Sequence, residues 1–345
     1  MNMKKLLVLV LALTGPGLSQ ADTVRIVQTN SRDQVIHLID PSTHSIVGEI
    51  TGIPVNHGAA AAPDGSRLYF SSEAKVTLDV VDTSTLSIIK EIPLTARPNN
   101  ISIGRDGRFV YVGIMAQPGG IDVIDTQSLE KVAHIDTGSM VHNVYVTPDG
   151  RHIVAGTFGG KGNLDVYDAT TRERVFQYYS PRNSYNGLEG VRPIAFDTNP
   201  DGSTRNMYVQ ISRLHGFTVF SFDDRREVAR FLLPSVPKEE EDQPPFNDAP
   251  AHGIGVSPDQ KTLWVCSRLN GRVYGYSLED MSLIADIKVG SHPDWLTFTP
   301  DSRFVYVANG HSNDVSVIDI NERKEVKRIP VGNAPKRNIT LVIPD

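Results

Sequence analysis

The sequence repeats itself with a period of roughly 42 residues. One clear unit runs from Ala96 to Ile135 and contains four short stretches of alternating apolar residues, separated by turns. Its Arg105-Asp106-Gly107 turn recurs as Pro-Asp-Gly or a close variant in other units, and an Asp recurs at the end of the third stretch. These third-stretch ends are Ile39-Asp40, Val81-Asp82, Ile124-Asp125, Tyr167-Asp168, Phe222-Asp223, Tyr276-Ser277 and Ile318-Asp319. Seven such ends predict seven units of four β-strands each.

The two ends of the chain indicate how these units are arranged. Residues Val24 to Ile50 supply the second, third and fourth strands of a unit, without a first strand, whereas Ile339 to Ile343 supply a first strand alone. Joining the two completes a seventh unit and removes the open sheet edges. An open solenoid would need capping repeats, and none are seen in the sequence. The sequence therefore predicts an all-β protein, a seven-bladed β-propeller whose ring is closed by the N-terminal strands and the C-terminal strand.

Two strand sequences carry a family resemblance. Phe304-Val305-Tyr306-Val307-Ala308-Asn309 and Phe109-Val110-Tyr111-Val112 resemble the YVTN repeat of bacterial propellers, and the match extends over nearly all of the chain after residue 21. The resemblance implies the propeller fold and leaves the function open, because the family includes binding proteins, cell-surface proteins and relatives of enzymes. The fourth unit departs from the pattern, since its first turn is lengthened and an insert from Pro234 to Pro250 follows it.

The first 21 residues have the features of a secretory signal peptide. Lys4 and Lys5 precede an apolar run from Leu6 to Leu13, which is too short to span a bilayer. Ser19-Gln20-Ala21 provides small residues for cleavage near Ala21. We therefore expect a single mature domain from residue 22 to residue 345, located in the periplasm or secreted, without a transmembrane segment.

Composition gives no general reason to expect several classes of partner. Removing the two lysines of the leader leaves 32 basic and 40 acidic residues, a balance that gives no general reason to bind nucleic acid. No C-x-x-C-H haem motif, phosphate loop or dinucleotide fingerprint is present, so neither haem nor a nucleotide cofactor is expected. Cys266 is the only cysteine and lies in an apolar strand pattern, so it is expected to be a buried packing residue. We expect a monomer.

Aligning the seven units on their first turns identifies one residue of each unit at the mouth of the central channel. We call this set the mouth ring, and its members are His57, Asn99, His142, Arg192, His252, Asp294 and either Lys336 or Arg337. A single polar residue at a wet channel mouth is ordinarily just solvated. Three histidines at one aligned position, in a mature chain with ten histidines in total, favour a functional site.

Two mechanisms could use this ring. In the first, His57, His142 and His252 bind a divalent metal ion, with zinc as the first choice, and Asp294 or water completes the shell. Its difficulty is that the three histidines belong to alternate blades. In the second, one of the histidines is a general base or acid, and Arg192 with Lys336 or Arg337 holds an anionic substrate.

Loop residues near the same mouth extend the candidate substrate-binding set. They are Glu189, Arg213, His215, Arg268 and His311, and the simpler interpretation of each is an exposed side chain. The insert from Pro234 to Pro250 is acidic and rich in proline, and it leads directly into His252. It is either a solvated loop or a lid over the mouth.

These features predict a periplasmic propeller with a small polar or anionic ligand. A hydrolase, lyase or isomerase, metal-assisted or metal-free, is the first hypothesis. Propeller lactonases, muconate-cyclising enzymes and streptogramin lyases are similar in fold and in the residue types at the mouth, although this is an analogy of fold. The alternative is a non-catalytic propeller that binds a ligand or a protein, accessory to a periplasmic oxidoreductase or an envelope system.

Overall fold

The computed structural model describes residues 22–158, 163–179, 190–242 and 248–344. The predicted signal peptide therefore lies outside the described residues. The described strands form seven four-stranded antiparallel sheets, which confirms the seven-bladed propeller. Helical structure in the described ranges consists of one 3-10 turn, Lys238–Glu240. No helix in these ranges is long and apolar enough to cross a membrane.

Each blade consists of one strand at the channel and three strands stacked outward from it. The innermost strands are β4 (Asn56–Ala61), β8 (Pro98–Ile103), β12 (Met140–Val146), β16 (Val191–Thr198), β20 (Ala251–Val256), β24 (Pro293–Phe298) and β28 (Pro335–Ile343). The second strands are β1 (Thr23–Asn30), β5 (Arg67–Ser72), β9 (Phe109–Ile114), β13 (His152–Phe158), β17 (Thr204–Ile211), β21 (Thr262–Ser267) and β25 (Phe304–Asn309). The third strands are β2 (Val35–Asp40), β6 (Thr77–Asp82), β10 (Gly120–Asp125), β14 (Asn163–Asp168), β18 (Gly216–Ser221), β22 (Arg272–Ser277) and β26 (Asp314–Asp319). The outermost strands are β3 (Ser45–Thr51), β7 (Ser87–Pro93), β11 (Glu130–Asp136), β15 (Arg174–Tyr179), β19 (Arg226–Leu232), β23 (Leu283–Lys288) and β27 (Lys324–Pro330).

The closing blade combines the two ends of the chain, as the sequence predicts. Its strand order is β28-β1-β2-β3, with Thr23 paired to Ile343 and Val27 paired to Ile339. β28 begins at Pro335, earlier than the strand expected from Ile339 onward. This extension places Lys336 inside the strand.

The hydrophobic core is divided among the interfaces between neighbouring blades. Tyr69 and Leu78 of the β4–β7 blade, for example, pack in one cluster with Ile101 and Val110 of the next blade. Cys266 is fully buried in another such cluster, which confirms the packing role expected from its strand pattern. Because the apolar side chains face the neighbouring blades, the channel itself is left to polar residues.

The Asp that ends five of the seven third strands has a local structural role. The Oδ1 atom of Asp82 accepts hydrogen bonds from the main-chain amides of Ser84, at 2.9 Å, and Thr85, at 3.0 Å. Asp168 makes the equivalent contacts with Thr170 and Thr171. The carboxylate thus stabilises the turn into the outer strand, which explains why the sequence repeats an Asp there without any catalytic purpose.

Shortening Leu341 to alanine is expected to test the closure of the ring. Leu341 lies in β28, is fully buried and packs in the cluster between the closing blade and the β4–β7 blade. The cavity left by Leu341→Ala should lower the free energy of unfolding by about 2–5 kcal/mol. Urea denaturation measures this loss. Val47→Ala, at a side chain 52% exposed on β3, is the control and should change stability by less than about 0.5 kcal/mol. Equal midpoints for the two variants would contradict the closing role of β28.

Candidate active site at the channel mouth

The pairing of each innermost strand with its neighbour shifts register at the mouth position. In the first blade His57 and Gly58 together lie opposite Ser71. Such a β-bulge adds one residue to a strand and redirects a side chain. The corresponding shifts in the other blades contain Asn99, His142, Arg192, His252, Asp294 and Lys336. A recurrent bulge therefore presents the mouth ring to the channel.

The bulge also decides between the two candidates of the closing blade. Lys336 and Arg337 both lie opposite Thr29, so by register Lys336 corresponds to His57. The Nζ atom of Lys336 lies 3.3 Å from Asp294 Oδ2, within the ring. Arg337 occupies the next position along the strand and is almost completely buried. Lys336 is accordingly the seventh member of the mouth ring, and Arg337 lies beneath it.

A second ring of side chains lies beside the first, at the ends of the second strands. We call it the collar, and its members, aligned by strand register, are Ser31, Glu73, Met115, Phe158, Ser212, Arg268 and Gly310. Sequence reasoning selected Arg268 of this set and missed Glu73, Met115, Phe158 and Ser212. Arg268 lies one residue beyond the end of a second strand. Selecting the equivalent position in the other blades would have identified these residues.

The most informative collar contact joins Glu73 to His57. The Nδ1 atom of His57 hydrogen-bonds Glu73 Oε1, and both side chains are largely buried. Burial lowers the pKa of His57, and the hydrogen bond to Glu73 offsets this lowering only in part. The imidazole is therefore neutral near pH 7. Because a carboxylate accepts the Nδ1 proton, the lone pair of the ring is carried by Nε2.

His142 has a different task, because both of its ring nitrogens are occupied. Its Nε2 atom lies 3.3 Å from Arg192 Nη1, a group that can only donate, and its Nδ1 atom lies against the Asn143 side-chain amide. Arg192 also donates from Nε to Ser212 Oγ at 2.8 Å and lies over the Phe158 ring, 4.7 Å from its centroid. His142 is thus a positioning group for the Arg192 guanidinium.

Asp294 is the centre of a charged cluster on the other side of the mouth. It is 4% exposed; its Oδ1 atom accepts a hydrogen bond from Arg268 Nη2 and its Oδ2 atom accepts one from Lys336 Nζ. Burial alone would raise the pKa of Asp294, but the two cations outweigh it and hold the pKa below its ordinary value. Asp294 is therefore ionised at all physiological pH values and anchors both cations.

The third mouth histidine, His252, packs beside this cluster. Its Nδ1 atom donates to the main-chain carbonyl of Asp294 at 2.8 Å, and its ring meets Trp295 edge-on. Burial and the nearby Arg268 and Lys336 charges lower its pKa well below the ordinary value. His252 is thus a neutral imidazole whose Nε2 carries the lone pair.

The other predicted residues are more dispersed. Asn99 is buried in the ring, and its amide donates to Met115 Sδ at 3.1 Å. Arg213 is exposed, and its main-chain amide donates to the carbonyl of Asp248 at 2.8 Å. Glu189 lies outside the described residues. Its assignment to the substrate-binding set stays a prediction.

The described parts of the insert are attached to the site at two points. Asp248 Oδ2 forms an ion pair with Arg192 Nη2, and Asp242 Oδ2 accepts a hydrogen bond from the His292 amide at 2.6 Å. His292 was missed in the sequence; its ring stacks on His311 and its Nε2 atom lies 3.9 Å from Asp294 Oδ1. The insert is therefore connected by its carboxylates to both sides of the mouth, rather than being only a solvated loop.

The three ring histidines have different partners. The rings of His142 and His252 are 6.1 Å apart, centroid to centroid, and meet edge-on, while His57 is bound to Glu73. Within the ranges that the structure describes, no group of three or more His, Cys, Asp or Glu side chains is arranged to hold a metal ion. Binding of zinc or another divalent metal by His57, His142 and His252 stays a prediction.

The sequence matches the profile of a known propeller family, in agreement with the fold. The profile of a family described as "Lactonase, 7-bladed beta-propeller" matches residues 60–330, which is most of the chain. This chain belongs to that lactonase family. The YVTN naming of the repeats stays a resemblance. No curated protein matches the sequence significantly.

Solved structures similar to this lactonase-family propeller share its fold. The periplasmic gluconolactonase of Pseudomonas aeruginosa has a TM-score of 0.73 and 19% identity, over 93% of this chain and 100% of the other. A chain of Kuenenia stuttgartiensis hydrazine synthase has a TM-score of 0.71 and 23% identity, over 89% of this chain and 99% of the other. A Bacteroides fragilis protein assigned as a 6-phosphogluconolactonase has a TM-score of 0.70 and 16% identity, over 95% of this chain and 99% of the other.

Proposed function

We propose that this lactonase-family propeller is a periplasmic hydrolase that opens lactones of sugar acids at its channel mouth. The observation that carries the proposal is the pairing of His57 with Glu73 in a mouth that also holds the Asp294-anchored cations Arg268 and Lys336. Membership of the lactonase family and structural similarity to a periplasmic gluconolactonase support it. The predicted signal peptide is consistent with the periplasm.

His57 is the general base of the proposed reaction. Glu73 accepts the Nδ1 proton, so that Nε2 can accept a proton from water. The lowered pKa of His57 keeps the imidazole neutral and ready for this step at neutral pH. The water oxygen attacks the lactone carbonyl carbon while its proton moves to His57 Nε2.

Lys336 and Arg268 stabilise the negative charge that develops in this step. When the carbonyl carbon becomes tetrahedral, its oxygen becomes an anion, which the two cations can neutralise because Asp294 already holds them in place. The intermediate then collapses and breaks the ring C–O bond. The leaving oxygen takes the proton back from His57, and the new carboxylic acid releases its remaining proton to solvent.

The rest of the mouth is suited to a polyhydroxylated ligand. The Nε2 atom of His252 is an acceptor for a sugar hydroxyl, and the Asn99 amide is a donor and acceptor on the same ring. Arg192, fixed by His142, Ser212 and Phe158, adds an oriented donor group. These polar groups give reason to expect sugar-acid lactones rather than apolar lactones.

Hydrolysis of D-glucono-δ-lactone tests the proposal. Purified mature protein should accelerate acid release well above the spontaneous rate, measured with a pH indicator. Because the base must be neutral and its pKa is lowered, kcat/KM should fall as the pH drops through a value below 6.5 and should be flat from there to pH 7.5. A fall of kcat/KM on the acidic side that is centred above pH 6.5 would show that His57 is not the base. If five- and six-membered sugar lactones are not hydrolysed faster than in buffer, the proposed activity is wrong.

A binding role is the second candidate, because a fold shared with proteins as different as a gluconolactonase and a chain of hydrazine synthase leaves the chemistry open. In that case the mouth binds a ligand, or the loops bind a protein partner of the periplasm, without chemistry. The same assay separates the two. A protein that binds sugar acids but leaves their lactones intact would be a binding propeller.

A further inference from the structure

Arg337 has an unusual position on the axis of the propeller. Its main-chain amide donates to Thr29 Oγ1 at 2.9 Å, so the bulge of the closing blade holds its backbone. Its guanidinium extends away from this blade toward others. It hydrogen-bonds Asn100 Oδ1 on β8, interacts with the Tyr145 hydroxyl on β12, and lies over the Trp295 ring on β24, 3.4 Å from the centroid. One side chain thus contacts three other blades and forms the floor of the mouth.

The guanidinium of Arg337 carries a positive charge that no carboxylate of the described residues balances. Burial lowers the pKa of Arg337 to about 10, which leaves the guanidinium cationic at neutral pH. Within the described residues no Asp or Glu forms an ion pair with it, and its buried Nε atom has no hydrogen-bond partner there. A buried cation without a counter-charge is costly, so such a group in a native protein calls for a missing partner.

The other cations of the mouth have their carboxylates. Arg192 pairs with Asp248, while Arg268 and Lys336 share Asp294. Glu73, a further carboxylate in the described part of the mouth, is engaged by His57, with Arg97 Nε at 3.8 Å. Among the described residues, the cations of the mouth therefore outnumber the carboxylates free to pair with them, and the unpaired cation is Arg337.

We propose that Arg337 is the seat of a carboxylate belonging to the substrate, so that the preferred lactones are those of sugar acids with a second acid group, such as aldaric-acid lactones. Trp295 covers one face of the guanidinium, so the carboxylate approaches its edge, where the unpartnered Nε–H can donate to a carboxylate oxygen. Lys336, the next residue and 23% exposed at the side chain, attracts the anion from above. This substrate class rests on the proposed lactone hydrolysis, whereas the anion seat itself can be tested without catalysis.

Calorimetric titration with D-glucarate and with the neutral polyol D-glucitol tests the seat. Wild-type protein should bind glucarate at least about tenfold more tightly than glucitol, and Arg337→Met should reduce the affinity for glucarate by about tenfold or more. Arg32→Met is the matched control, because Arg32 is exposed on the same face, beside a groove that includes Gly310 and His311. It should alter the affinity by less than about threefold.

Three results would overturn the seat: equal binding of glucarate and glucitol, an unchanged glucarate affinity in folded Arg337→Met, or an equal loss in Arg32→Met. The comparison of the two ligands on wild-type protein remains decisive if Arg337→Met does not fold. His57→Gln should bind glucarate within about threefold of wild type, since His57 acts on water rather than on the acid group. Binding with no hydrolysis would therefore reject the proposed activity and keep the seat.

The substrate class is tested by kinetics. The kcat/KM for a glucarolactone, which carries a free carboxylate, should exceed that for D-glucono-δ-lactone by about tenfold or more, and Arg337→Met should remove this preference. Equal kcat/KM values for the two lactones in wild-type protein would overturn the assignment. A preference for a phosphorylated lactone over both would replace the carboxylate by a phosphate as the bound group.

Discussion

Replacing His57 with glutamine is expected to lower kcat for lactone hydrolysis by about 10²–10⁴-fold, the usual contribution of a general base. Glutamine keeps the approximate size of the side chain and can still hydrogen-bond Glu73, but it cannot accept a proton from water. Because substrate contacts are retained, KM should change by less than about threefold. Initial rates across a range of lactone concentrations, with the spontaneous rate subtracted, separate the two parameters.

Two further variants make this result specific. Glu73→Gln should also lower kcat, because a neutral amide no longer stabilises the His57 imidazolium that forms during the reaction. His44→Gln is the control, since His44 lies on an outer turn against Tyr306 and should leave kcat unchanged. Full activity in His57→Gln together with loss in His252→Gln would assign the base to His252 instead.

Replacing Asp294 with asparagine is expected to have the largest effect on stability. The substitution removes the one carboxylate that Arg268 and Lys336 share, and it leaves two mostly buried cations close together. Removing one partner of a buried ion pair typically costs about 3–5 kcal/mol. Urea denaturation at pH 7 should show a loss of this size, and hydrolysis should be abolished because the oxyanion donors lose their anchor.

The pH dependence of this loss has a definite sign. The pKa of Asp294 in the folded protein is lowered below that of an unfolded Asp, about 3.9, by Arg268 and Lys336 despite burial. Its contribution to stability is therefore fully present above about pH 5 and decreases as the pH falls through about 4 toward the folded pKa. The difference between wild type and Asp294→Asn should accordingly be constant from pH 5 to 8 and become smaller in stronger acid.

An exposed ion pair provides the control for the Asp294 experiment. Asp224 lies 3.7 Å from Arg226 and is 55% exposed at its side chain, so Asp224→Asn should cost less than about 1 kcal/mol. A loss in Asp294→Asn as small as that of the control would mean that water reaches Arg268 and Lys336 freely. The anchored-cation part of the proposed mechanism would then have to be abandoned.

Part of the candidate site could be predicted from the sequence. The contacts that could not be predicted share one physical reason. His57, His142 and His252 could be aligned because they occupy one position in a repeat. Glu73 could not be assigned as the partner of His57, because the two residues belong to different strands and become neighbours only when those strands pair. The contact of Arg268 with Asp294 joins two different blades, which no single repeat unit contains.

The sequence by itself determined the seven blades, their turns and the closure of the ring. These follow from local rules, namely the period of two along a strand and the Asp and Gly residues that turns require, and each unit repeats them. Tertiary structure alone decided how the mouth ring is arranged. The bulges direct its side chains, the register separates Lys336 from Arg337, and among the described residues the contacts of Arg337 with other blades are with uncharged side chains. Such contacts depend on how separate blades converge, and convergence is a property of the closed ring rather than of any one repeat.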